Sequence, residues 1–161
     1  MISISNTEQF DLVSKIQILE EITSKYLNSI NEILLTIRKE EIYEFKCIRI
    51  PSEEIYEFIK AVNFILGNED NKGWNIIKCN FYKQYMNGRI AKLHENYIMT
   101  EDIKEIVYPI LYESGFDPNA LRLNSLVVYK LYLWADNFCK FTESKQSLEK
   151  LKICLSEIER N

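Results

Sequence analysis

The chain has 161 residues, which suits one domain or one domain plus an appendage, and 47% are hydrophobic, too many for a disordered chain. Glycine (4) and proline (3) are scarce, so folds built on many tight turns are disfavoured and helices favoured. A formal charge of −4 argues against a generally basic nucleic-acid binder, and no uncharged apolar run approaches the ~18 residues of a membrane span.

Residues 10 to 46 contain no glycine and no proline. Their apolar residues recur at spacings of three and four: Leu12, Ile16, Leu19, then Tyr26, Ile30, Ile33 and Ile37. Thr23 is the one polar residue on that seam. This is the heptad pattern of a coiled-coil helix. Pro51 stops it, because proline lacks the N–H and clashes with the preceding turn.

A shorter helix follows, with Glu53 and Glu54 favourable in its first turn and Ile55, Phe58, Ile59, Val62 and Ile65 on one face. Gly67 ends it. Asn68 to Gly73 reads as a loop, and Trp74 to Lys92 as two short apolar and basic helices. Thr100 can cap the next helix, which Pro109 should kink and Gly115 should close, with Phe116 packing back on Leu111.

Asp117-Pro118 pairs an N-cap with proline at the first helical position. No breaker follows, so 118 to 160 predicts one helix of about 60 Å. Its second half repeats the seam: Phe141, Ser144, Leu148, Leu151, Leu155, Ile158. Seams at both ends predict that the ends pair antiparallel, Ile37 near Phe141 and Ile16 towards the C-terminal end. Trp134, at the junction of head and arm, should be buried.

Catalytic constellations are sparse. His94 is the single histidine and, in a loop, reads as a surface or capping residue. Cys47, Cys79, Cys139 and Cys154 form no CxxC pair and read as reduced, buried apolar thiols of a cytosolic protein. The sequence holds no phosphate-binding glycine loop, and the adjacent carboxylates Glu53-Glu54 and Glu101-Asp102 sit where helix starts favour negative charge. The reading is a non-enzymatic chain that needs no metal or cofactor. One charge feature stands out. Residues 71 to 94 carry Lys72, Lys78, Lys83, Arg89 and Lys92 and no acid, against 15 basic and 24 acidic residues elsewhere. Such a segment can face an acidic partner.

The residues around this segment resemble a family. Ile33 to Lys46, followed by Pro51, looks like the end of the first stalk helix of dynein heavy chains. The run IPSEEIYEFIKAVNFILG, Ile50 to Gly67, is similar to the family's next segment. Trp74 falls at a family tryptophan, Phe116 with Pro118 resembles its F-x-P entry to the last helix, and Ser125 and Trp134 match its serine and tryptophan.

The resemblance implies an all-α fold: a small helical head (51–134) on an antiparallel two-stranded coiled coil made of 1–50 and 135–161. It implies a head that binds microtubules near the boundary of α- and β-tubulin. The rest of the heavy chain, ATPase ring included, would lie at the far end of the stalk, with coiled-coil register carrying the nucleotide signal. It places the chain in the cytoplasm on the cytoskeleton, cytoplasmic or axonemal, with neither nucleic acid nor membrane as partner.

Candidate contact residues are Lys60, Lys78, Lys83, Arg89, Arg122 and Lys130, with Tyr56 where the family usually has a basic residue. Leu123 likewise stands where the family tends to be basic, with Arg122 beside it. The alternative is a helical coiled-coil adaptor that binds another protein through its basic and apolar middle.

Overall fold

The computed structural model describes residues 5–68, 73–79, 81, 86–113, 115 and 117–160. Every regular element among them is helical, and no helix among them is long and apolar enough to cross a membrane.

Helix α1 spans Asn6–Leu35 and opens on a capping box. The Glu8 N–H donates to Ser5 Oγ (3.3 Å) and the Ser5 N–H to Glu8 Oε2 (3.0 Å). The helix ends fifteen residues before the expected stop at 50, with neither glycine nor proline to end it. Arg38 turns extended (φ −95°, ψ 153°) and the chain restarts as α2, Lys39–Lys46. The break turns Ile37, Ile42 and Phe45 into the core, each at most 4% exposed. Burying these three, at about 1.5–3 kcal/mol per side chain, outweighs the loss of one helical turn.

Ser52 caps α3, Glu53–Ile65, by accepting from the Ile55 N–H at 3.3 Å. The helix stops as expected at Gly67, whose φ of +76° suits a residue without a Cβ. The Asn68 N–H closes the turn on Asn63 O at 3.0 Å. Helix α4 covers Trp74–Cys79. Past the undescribed residues, a π turn at Met86–Ile90 and a 3₁₀ turn at Leu93–Glu95 complete the basic segment.

Thr100 caps α5, Glu101–Tyr108, as expected, through the Ile103 N–H (3.3 Å). At Pro109 the helix continues as a π turn, Pro109–Glu113, so the missing N–H is absorbed by wider spacing. The expected packing of Phe116 on Leu111 lies outside the described residues.

The long last helix is two. Helix α6 is Pro118–Asn124, capped by Asp117, whose Oδ1 accepts from the Asn119 N–H at 2.9 Å. Helix α7 is Leu126–Arg160. Between them Ser125 is extended (φ −161°, ψ 121°) and buried, and its Oγ accepts from the Val128 N–H at 3.4 Å. A serine that restarts a helix by capping it breaks a segment that carries no glycine or proline.

The terminal helices α1 and α7 run side by side in opposite directions. Thr23 Oγ1 meets Ser144 Oγ at 2.5 Å, Lys152 Nζ meets Glu20 Oε1 at 3.2 Å, and Lys130 Nζ reaches Thr36 O at 2.7 Å. The expected register is therefore corrected. Ile37 stands level with Lys130, roughly eleven residues or about 16 Å along α7 from Phe141. Phe141 instead meets His94 edge-on at 6.1 Å.

At one end of this pair α2 and α3 pack against the first half of α7, with α4 against α2 and α3, and α5 against α3. Trp134 is fully buried there, stacked on Phe138 at 5.0 Å, with Tyr97 against Phe138 at 4.9 Å. Phe45 of α2 makes edge contacts with Trp74 of α4 (5.5 Å) and with Phe81 beyond it (5.6 Å). Of the four thiols only Cys139 is buried. Cys47, Cys79 and Cys154 are exposed, contrary to expectation. His94 is half-buried rather than on the surface, its Nδ1 without a hydrogen bond.

Candidate binding surface

One set of candidate residues forms a run of cation and ring contacts. Lys60 Nζ lies 5.2 Å from the Tyr56 ring centre, Tyr56 is 6.4 Å from Trp74, and Lys78 Nζ is 6.0 Å from Trp74. Helices α3 and α4 bring these four together, which their spacing in the sequence does not reveal. Lys60 also reaches Glu57 (3.5 Å) and keeps part of its ammonium in water.

Lys78 has a second task. Its Nζ donates to Lys46 O (3.0 Å) and Ile48 O (2.9 Å), and Trp74 Nε1 donates to the same Ile48 O (2.7 Å). These bonds satisfy carbonyls left open past the end of α2. Arg89 likewise donates to Leu66 O at 2.6 Å, beyond α3. Both residues contribute positive charge at the surface while holding the backbone in place.

Lys92 is exposed and, with Gly88, Arg89 and Asn96, lines a shallow groove of about 440 Å³ floored by Leu93 and Tyr97. Lys83, like Lys72, lies outside the described residues. Arg122 is exposed at the end of α6, its guanidinium 5.8 Å from the Tyr129 ring, beside Leu123 at 89% exposure. A second groove of about 440 Å³ runs from Arg122 past Leu126 and Tyr129 to Ile33 of α1.

Compared with protein-family models and with curated proteins, the sequence matches none.

Lys130 is placed differently from its expected role. Its side chain is 16% exposed, and its Nζ bonds both oxygens of Glu41, at 2.8 and 2.9 Å, besides Thr36 O. Glu41 is 2% exposed and also accepts from the Arg38 N–H (3.2 Å) and Nε (3.0 Å). Burial alone would push the Glu41 carboxyl up. The hydrogen bonds from Lys130 and Arg38 outweigh it and hold the group below its ordinary value. Lys130 is thus an internal clamp: with Arg38 it neutralises a carboxylate that burial would otherwise strand in the core.

Sequence reading missed Glu41. Arginine at the N-cap has no side-chain acceptor, so only half of a capping box forms, Glu41 accepting from the Arg38 N–H, and the i, i+3 spacing of Arg38 and Glu41 is its only trace in the sequence. It also missed a second fastening, in which the Tyr108 hydroxyl donates to Glu143 (2.5 Å) and the Tyr112 hydroxyl to Asp136 (2.8 Å). Burial, with the carboxylates beside them, raises both tyrosines well above their ordinary range, so they remain donors. Burial likewise pushes the Cys139 thiol up to about 12, which keeps it protonated and unreactive at neutral pH.

Proposed function

We propose that this chain is the microtubule-binding stalk tip of a dynein heavy chain, with α1 and α7 as the two strands of the stalk coiled coil. The observation that carries the reading is the direction of the terminal helices. They run antiparallel with Thr23 against Ser144, both seam positions, while the helices between them gather at one end around Trp134. The ordered residues Pro51, Trp74, Pro118, Ser125 and Trp134 supply the family resemblance.

On this reading the head presents Lys60, Tyr56 and Lys78 on one side, Arg89 and Lys92 along the groove, and Arg122 at the start of the last helices. Lys83 joins them by resemblance. Tubulin is acidic, so an acidic chain binds it through such a local basic face. The distant ATPase ring would act on the head through the stalk, and the tip itself would catalyse nothing.

Co-sedimentation with microtubules without ATP tests this. Binding should fall as salt rises, because the Debye length drops from about 10 Å at 0.1 M to about 3 Å at 1 M. Lys60→Glu and Lys92→Glu should each weaken binding, and Lys150→Glu, exposed on the arm, should not. Equal weakening by all three would reduce the effect to net charge. Failure to co-sediment at low salt would replace this reading with the adaptor.

A further inference from the structure

The groove between the end of α1 and the start of α7 differs in kind from the basic one. Ile33 forms one wall and Leu126, Tyr129 and Leu133 the other, all half-buried. Leu123, three residues before Leu126, stands 89% exposed at the end of α6. A lone exposed leucine is ordinary, but one that adjoins a half-buried apolar wall enlarges a patch that association can cover.

Two exposed charges line the same groove, Glu32 from α1 and Arg122 from α6. Among the described residues neither makes an ion pair, with the other or elsewhere, and the Arg122 guanidinium lies over the Tyr129 ring. Lys130, also in the lining, is already neutralised by Glu41. The groove therefore carries one unpaired acid on its α1 side and one unpaired base on its α6 side. A strongly charged partner of either sign would attract one of them and repel the other. A second copy related by a two-fold axis satisfies both, because its acid faces this base and its base faces this acid. Its Leu123 also brings an apolar side chain to cover the groove. Such a surface is self-complementary, and every contact forms twice.

We propose that this groove is the contact of a two-fold dimer. Leu123 of one copy enters the groove of its partner, and Arg122 meets the partner's Glu32, with both contacts repeated across the axis. Two leucines and two exposed ion pairs are a small gain against the cost of association, so the dissociation constant is on the order of 0.1 mM. The proposal concerns the free chain in solution and does not rest on the microtubule reading.

Sedimentation equilibrium of the full chain tests it, in reducing buffer so that the exposed Cys47, Cys79 and Cys154 do not link copies. Between about 10 μM and about 0.5 mM the average mass should rise from one chain towards two. Leu123→Ser, Arg122→Glu and Glu32→Arg should each weaken association about 10-fold, since each reversal turns two attractions into two repulsions and the serine empties two grooves. Arg122→Glu makes the chain more acidic and Glu32→Arg less, so a net-charge effect would move the two in opposite directions. Combining both reversals restores the ion pairs and should return the constant to within about threefold of the parent's.

All three positions are exposed, so each variant should keep its helical circular dichroism. A parent chain that stays monomeric at about 0.5 mM overturns the proposal and leaves the groove to a different protein. So does a combined variant that associates no better than either reversal alone, or an association that Leu123→Ser leaves unchanged.

Discussion

Changing Glu41 to methionine removes the acceptor that three groups address. The Arg38 side chain is 68% exposed, so losing its ion pair adds little, within ~1 kcal/mol. Lys130 is 16% exposed, and removing one partner of a buried pair costs about 3–5 kcal/mol. Its retained bond to Thr36 O places the expected loss at the lower end, about 3 kcal/mol. Lys130→Met leaves Glu41 with its Arg38 bonds and should cost less, about 2 kcal/mol. Replacing both together leaves no stranded charge. The double variant should cost no more than Glu41→Met alone, a coupling of about 2 kcal/mol. Urea unfolding followed by far-UV circular dichroism at pH 7 measures all three. Strictly additive losses, or a loss under ~1 kcal/mol for Glu41→Met, would refute the argument that this pair is desolvated and mutually dependent.

The same carboxylate predicts acid sensitivity. Its folded pKa lies below its unfolded one, so its contribution is complete above the ordinary carboxylate value of ~4.3 and is lost as pH falls through the folded value. The Glu41→Met, Lys130→Met protein should show a flatter stability profile between about pH 5 and pH 2, measured by urea melts at each pH. Asn63 is 3% exposed and neither atom of its amide has a partner, so Asn63→Leu should raise stability by about 1 kcal/mol in the same melts. Trp134 is fully buried with its indole N–H unpaired. Trp134→Ala should cost about 3–5 kcal/mol, whereas Trp134→Phe, which also removes the stranded donor, should cost about 1–2 kcal/mol. Equal losses for the two would mean that ring volume contributes nothing at this site.

Signals that depend on one or two residues are legible in the sequence itself. The caps at Thr100 and Asp117, the stop at Gly67 and the burial of Trp134 follow from steric and hydrogen-bonding rules that act within a turn or on a single large side chain. The seams also carry the antiparallel direction of the terminal helices, because repeats at both ends of a chain that turns back leave no other pairing. Their register is not legible, since leucines and isoleucines at heptad spacing match equally well after a slide of seven residues.

The sequence alone determined an all-helical chain with amphipathic ends and an acid-free basic middle. Composition and periodicity are sums over residues and need no knowledge of neighbours. Tertiary structure decided where α1 stops and where α7 starts. Nothing in 10–46 or 118–160 breaks a helix by itself. The breaks at Thr36–Arg38 and Ser125 exist because the core takes Ile37, Ile42 and Phe45 on one side and a buried serine cap on the other. It also decided what the basic residues do. Lysine and arginine are flexible cations in sequence, but Lys130 beside Glu41, and Lys78 and Arg89 beside open carbonyls, gain more from those fixed partners than from water.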